Sequence, residues 1–351
     1  MASAKPFGIF TFAMLLKLST LVIFVIPAIA SCKAVTSASV NSAVFAPLKL
    51  YASTVFFIAF AMYYTLVNDV DVVLQIYKMG ALISSVPILA RGMTSGFAGE
   101  RLKLAGINSN FLGSAIAIAL LILIYQMLKK RGSIIGNCIQ FGILSIVILI
   151  SGSRTALIML AICLFVLFVF RQSKKIIINS IVILVTLFVV LYLVMNVSFL
   201  YNIIGKRIES LFQFIQGDEY NDASLAARSN YIELGWRKIL RNPYWGYGAD
   251  TFRTIAGQYA HSNFIELLFS FGIIGMIYYI PFLHCVVKFI KNARYYFASN
   301  REVVLLAVGI IVAVLLCDVF RVTYYERIAL IPLNIAILTI VYYNPYKQGE
   351  K

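Results

Sequence analysis

The sequence predicts an all-α polytopic integral membrane protein, about ten transmembrane helices with one large helical extracytoplasmic loop. Three observations carry that expectation. Of 351 residues, 61% are hydrophobic and 13% charged, at a mean hydropathy of +0.90, more apolar surface than a soluble domain of this size can hide. Apolar runs of roughly twenty residues, the length that crosses a bilayer, recur along the chain. Between Phe199 and Ala260 the hydrophobicity lapses, and it resumes at His261-Ser262-Asn263-Phe264-Ile265-Glu266.

The runs lie at 7–30, 45–67, 71–90, 108–128, 133–150, 155–170, 176–198, 261–284, 302–320 and 327–343. Lys129, Lys130 and Arg131, then Arg171, Lys174 and Lys175, then Lys288, Lys291, Arg294 and Arg301 occupy alternate short connections, which the positive-inside rule assigns to the cytoplasm. Both termini are then inside and the outside loops are 31–44, 91–107, 151–154, 199–260 and 321–326. The expected organisation is helices in 1–198, the extracytoplasmic loop 199–260, and helices with a short cytoplasmic tail in 261–351.

The net charge of +16 is scattered among apolar spans instead of forming one stripe, which argues against a nucleic-acid partner and for the lipid bilayer. The loop's own Lys206, Arg207, Arg228, Arg237, Lys238, Arg241 and Arg253 do not overturn the topology, because long loops translocate largely regardless of charge. Their basic charge requires another use.

Cys138, Cys163, Cys285 and Cys317 lie in apolar segments and Cys32 stands in an outside loop, so neither a disulfide framework nor zinc spacing is present. Residues 1–31 mimic a secretory signal, but in a polytopic chain they read as a first transmembrane helix. With no internal repeat and no soluble terminal domain, function falls to the outside loops and helix ends.

Within the large loop, Ser224 to Arg241 reads as an amphipathic helix, capped by Asp222 or Ser224 and stopped by Asn242-Pro243. Leu225, Ile232, Gly235, Trp236 and Ile239 form its expected inward stripe, and Arg228 falls within about 40° of the stripe's centre. Arg237 and Arg241 fall opposite and, with Lys238, read as a solvated face. Next comes Asn242-Pro243-Tyr244-Trp245-Gly246-Tyr247-Gly248, a turn-rich strip whose Trp245 and Tyr247 suit a membrane interface or the face of a sugar.

His261 sits where the loop re-enters the membrane, at a helix N-terminus, where the dipole disfavours added positive charge and keeps imidazole able to accept a proton. It reads either as an interfacial cap or as a base. Asn263, Glu266 and Ser270 share the helix face away from Phe264 and Leu268, and a carboxylate one turn into a membrane must face protein or water. Glu266 is thus either a partnered buried acid or a site residue. Arg154, in Ser151-Gly152-Ser153-Arg154, lies at head-group depth, as a snorkelling side chain or as a planar fork for a lipid diphosphate. Arg321 offers the same fork from another outside loop, or a local ion pair with Asp318.

Asp69-Val70-Asp71 matches a metal-binding Asp-x-Asp, but it lies in a short inside connection with no globular domain to hold a nucleotide. No GxxxxGK, HExxH or metal cluster occurs in the sequence, and loop 31–44 has no acidic residue to present a metal. No cofactor is expected.

Ser151-Gly152-Ser153-Arg154-Thr155, the Arg228 helix with Trp236 leading into Asn242–Gly248, and Ala260–Glu266 followed by Gly272-Ile273-Ile274-Gly275 resemble, in order, the bacterial O-antigen polymerase and O-antigen ligase family. Gly106-Ile107-Asn108-Ser109-Asn110 is similar to that family's Asn-rich helix entry. The resemblance spans roughly residues 90–290. It implies a metal-independent glycosyltransferase at the outer face of a bacterial cytoplasmic membrane, with undecaprenyl-diphosphate-linked glycans as substrates and a chain-length regulator as a possible membrane partner. Arg154 and Arg228 would neutralise the diphosphate, with His261 as general base or diphosphate ligand. Arg321, Asn263, Glu266, Trp245 and Tyr247 would complete the substrate site. One departure is Ser262, which stands between the His and Asn that adjoin in many relatives. The resemblance implies a polymerase of O-antigen or capsular repeat units, with ligation to lipid A core as the alternative. From another class, a lipid-linked oligosaccharide flippase would use the same arginines without chemistry; internal repeats and midplane polar residues would mark it, and here the unusual polar residues gather at the outer face.

Overall fold

The computed structural model describes residues 70–94, 109–170, 176–198, 201–216, 223–248, 251–299, 301–324 and 327–342. The expected spans at 7–30 and 45–67, with loop 31–44 and Cys32, lie outside the described residues. Regular structure among the described residues is helical, with no strand. In order, α1 is Val70–Thr94, α2 Ser109–Leu128, α3 Ile134–Ser151, α4 Arg154–Val169 and α5 Ile176–Asn196. A π turn at Tyr201–Gly205 leads to α6, Lys206–Ile215, followed by α7, Ala223–Ile239, and α8, Thr251–Ala256. Then come α9, Asn263–Phe271, a 3₁₀ segment at Gly272–Tyr279, α10, Ile280–Ser299, α11, Arg301–Cys317, and α12, Arg327–Tyr342.

Among the described residues, four helical stretches are long and apolar enough to cross a membrane: Asp71–Ala90, Asn110–Leu128, Ile134–Ser151 and Asn263–Asn292. Arg154–Val169 is a shorter apolar helix. The chain is therefore a multi-pass helical membrane protein.

The described residues divide into two units. The first gathers α1 to α6, α11, α12 and α10 from His284 onward. Its centre is α2, which contacts α1, α3, α4, α11 and α12. Small residues on α2 admit these neighbours. Ala117 and Ala119 are fully buried, and a Cβ on Gly113 would meet Ser151 Oγ and Ser153 Cβ at 2.9 Å. At one end of this unit Arg131 Nη1 pairs with Asp71 Oδ2 at 2.7 Å, and Tyr125 donates to Asp71 Oδ1 at 3.1 Å. The Asp-x-Asp aspartate of the sequence is thus a helix-end partner. Buried Lys78 donates to Gln126 Oε1 at 2.6 Å, and Gln126 in turn donates to Gln75. This satisfies a cation inside an apolar helix.

The second unit is built from residues 226–283 and 318–324. Its apolar centre is Ile239, Phe252, Ala260, Ile265 and Phe269. Two glycines set its register. A Cβ on Gly246 (φ +64°) would meet the backbone of Phe269 to Phe271 at 2.6 Å, and one on Gly272 (φ +61°) would strike the backbone of Pro243 and Tyr244. The aromatic turn after α7 is therefore locked into the end of α9. The run expected as one helix over 261–284 is broken there, because Gly272 leaves helical geometry where the turn docks. The run expected over 302–320 ends as a helix at Cys317, since the backbone carbonyl and carboxylate of Asp318 are both engaged by Asn263.

Candidate active site

On α7, Arg228, Gly235 and Ile239 fall within about 40° of one another at 100° per residue. This is the face turned to the second unit's core: Gly235 and Ile239 are buried, and a Cβ on Gly235 would strike Ile265. Arg228 is half-buried. The expected inward stripe divides, because Ile232 and Trp236 are exposed while Gly235 and Ile239 are covered. Leu225 has a side chain outside the described ones. Close approach of α9 selects the glycine side of the helix and leaves the bulky side out.

One turn after Arg228, Tyr231 stacks on His261, ring centroids 5.9 Å apart and planes 17° apart. Tyr259 covers the imidazole at 4.1 Å. His261 has φ +56°, a left-handed backbone that costs a non-glycine residue energy and collects at functional sites. Burial first, and the Arg228 charge second, push its pKa down to about 4. The ring is therefore neutral at physiological pH, with a lone pair beside a fixed cation.

Two neighbours hold this strained residue. Glu266, 2% exposed, accepts the Ala260 N–H on Oε2 at 2.8 Å, spanning the turn that contains His261. Asn263, fully buried, sits at the centre of a second set of bonds. Its N–H donates to the Asp318 carbonyl at 2.7 Å, and its Nδ2 donates to Tyr279 Oη at 2.9 Å and Asp318 Oδ2 at 3.2 Å. Its Oδ1 accepts the N–H groups of Thr323 and Tyr324 at 3.0 and 3.1 Å. Tyr279 Oη and Thr323 Oγ1 both donate to the Asp318 carboxylate. The first turn of α9 is thereby fastened to the 318–324 loop, and an orphan helix N–H is satisfied. Arg321, 5% exposed, lies near enough to Asp318 to stabilise its charge.

The structure thus gathers Arg228, His261, Asn263, Glu266 and Arg321 in the second unit. Tyr247 belongs there as packing: its ring stacks on Phe269 at 4.8 Å and its hydroxyl donates to the Lys238 carbonyl at 3.0 Å. Trp245 is exposed. Of the face read as solvated, Arg237 and Arg241 are exposed and Lys238 is half-buried.

Arg154 belongs to the first unit. It opens α4, capped by Ser153 Oγ, which accepts the Ala156 N–H at 3.2 Å and donates to Asn110 Oδ1 at 3.1 Å. The Ser-Gly-Ser-Arg turn is thereby tied to Asn110 in the first turn of α2. Gly152, at φ +56°, supplies the left-handed residue that ends α3 so abruptly.

Tyr231, Tyr259, Tyr279 and Thr323 were not singled out by the sequence, and Asp318 was read only as a local partner of Arg321. Tyr231 is signalled by its i+3 spacing from Arg228. Asp318 is signalled as a carboxylate at the end of an apolar run. Among the described residues, no three His, Cys, Asp or Glu side chains assemble as a metal ion requires.

Residues 139–280 match the family model described as O-antigen ligase. No curated protein matches the chain. The matched stretch opens in α3, closes at the first residue of α10, and contains Arg154, Arg228, His261, Asn263 and Glu266. Over that stretch the chain is similar to the O-antigen ligase family.

Proposed function

We propose that this protein is a metal-independent glycosyltransferase that polymerises undecaprenyl-diphosphate-linked repeat units at the outer face of a cytoplasmic membrane. The observation that carries the reading is the pairing of a neutral, left-handed His261 with the half-buried Arg228. His261 takes the proton of an acceptor hydroxyl as its oxygen bonds to the donor's anomeric carbon. The bond from that carbon to the diphosphate oxygen breaks, and the lipid diphosphate departs with the electron pair. Arg228 stabilises the charge growing on that leaving group, where a preorganised cation is most effective. Diphosphate binding at Arg228 also offsets the charge that depresses His261, so the donor makes the base stronger.

Purified protein supplied with lipid-linked repeat units and a chelator yields ladders under this reading, and Arg228→Ala and His261→Ala do not. Normal ladders from both variants would sink the site assignment. The matched family is described as O-antigen ligase, which favours ligation as the second reading, and offering repeat units and lipid A core in competition separates polymerase from ligase. Translocation of the lipid-linked glycan without bond formation would make the protein a flippase.

A further inference from the structure

The exposed side of α7 and the turn beyond it form an apolar surface that the proposed chemistry does not use. Ile232, Trp236 and Leu240 follow one another at i, i+4 and i+8, with Trp236 and Leu240 50% and 65% exposed. The stripe runs into Tyr244 and Trp245, 68% and 64% exposed. A soluble surface does not leave two tryptophans, a tyrosine and a leucine side by side without a partner.

The turn's backbone fixes its depth. Tyr247 and Gly248 donate to the carbonyls of Phe269 and Ser270 at 2.8 and 2.9 Å, and Ile273 donates to the Pro243 carbonyl at 2.8 Å. Tyr244 and Trp245 are therefore level with residues 269–273 of the stretch that runs from Asn263 to Asn292. At 2.0 Å per 3₁₀ residue and 1.5 Å per α residue, Gly272 to Val287 is about 28 Å long, one hydrocarbon thickness, and Lys288 follows. Residues 269–273 thus stand at the edge of the hydrocarbon, and Ile273, 61% exposed, already faces out. Trp and Tyr are the residues that favour that level.

Charge agrees with the depth. Arg237 and Arg241 lie beyond one side of the apolar stripe and are exposed, open to phosphate head groups. Glu233 lies 3.6 Å from Arg237 Nε, but both side chains are 67% exposed, so the pair leaves the arginine open to a head group.

We infer that Trp236, Leu240, Tyr244 and Trp245 form a wedge that inserts into the acyl and head-group boundary of the adjacent leaflet, with Arg237 and Arg241 on anionic lipid phosphates. The wedge seats the Arg228 face of the same helix at a fixed height above the bilayer. It stands independently of the proposed chemistry.

The chain contains two tryptophans, and both are in the wedge, so emission excited where tyrosine does not absorb reads this surface alone. Intact protein is placed in nanodiscs of phosphatidylcholine and phosphatidylglycerol, with or without bromine on the acyl chains. Brominated lipid is expected to remove most of the emission while aqueous iodide removes little, with Trp236→Phe and Trp245→Phe assigning the loss to each ring. Quenching by iodide and not by bromolipid would overturn the inference, leaving a solvated surface. Resistance to both quenchers would also overturn it, and would mark the surface as an interface with protein. Arg237→Glu with Arg241→Glu is expected to weaken bromolipid quenching in discs containing phosphatidylglycerol; an unchanged signal removes the head-group contacts from the inference. No substrate enters the measurement, so its outcome is separate from that of the transferase assay.

Discussion

Glu266 Oε2 accepts the backbone N–H of Ala260 at 2.8 Å, so a buried carboxylate fastens the residue immediately before the left-handed His261. The polar face expected on this helix is therefore employed inward, as a clamp on the strained turn. Substrate contact is a separate role that this bond does not require.

Glu266→Gln keeps an acceptor oxygen and is expected to retain most of the turn's stability. Glu266→Ala leaves a buried N–H without its acceptor, at a cost of about 1–3 kcal/mol. Thermal unfolding in detergent measures the difference, and equal unfolding midpoints for the two variants would contradict the clamp.

The pH profile tests His261. Its conjugate acid forms only near pH 4, because burial and then Arg228 lower the pKa. If His261 is the base, kcat/KM holds level well below the ordinary histidine value of about 6.5 and falls only on approaching pH 4. Arg228→Gln removes a repelling cation, so the residual activity loses its acid limb at higher pH. Stability follows the same sign. Below about pH 6.5 the unfolded chain binds a proton that the folded chain refuses, so stability declines as pH falls toward the folded value and gains nothing above that window.

Asn263→Asp retains size but replaces two donors with a second carboxylate facing Asp318. It is expected to destabilise the protein more than Asn263→Ser, which keeps a hydroxyl and adds no charge. Asp318→Asn in the Asn263→Asp background relieves the repulsion. Failure of that double variant to recover stability over Asn263→Asp alone would argue against direct contact.

Gly272→Ala must place a methyl against Pro243 and Tyr244 from a backbone at φ +61°. The expected loss exceeds ~1 kcal/mol, and the turn before Gly246 becomes accessible to protease. Unchanged protease resistance would show that the turn docks by other means.

Much of this was legible in the chain because lipid imposes run length on any spanning helix. Ser133 and Ser153 begin α3 and α4 where their side chains cap the backbone, and Gly152 ends α3 between them. The inward turn of Arg228 was also legible from helical period. The stripe on α7 was misread at Ile232 and Trp236, because helical arithmetic treats every apolar side chain as seeking protein. Beside a membrane, an apolar side chain has a second solvent. The Asn263 to Asp318 bonds were not legible, since partners 55 residues apart leave no local periodicity. Nor was the Glu266 clamp, which depends on a turn whose shape only the folded backbone supplies.

Those 55 residues also give the site a place in the timetable of synthesis. Asn263 emerges from the ribosome long before Asp318, Thr323 and Tyr324, and α10 and α11 lie between them. The histidine turn therefore waits, with its anchoring amide and carbonyl unsatisfied, until α11 and the loop after it have been made. A chain released early, before residue 324, would carry the histidine and the arginine in full and still lack the geometry that relates them.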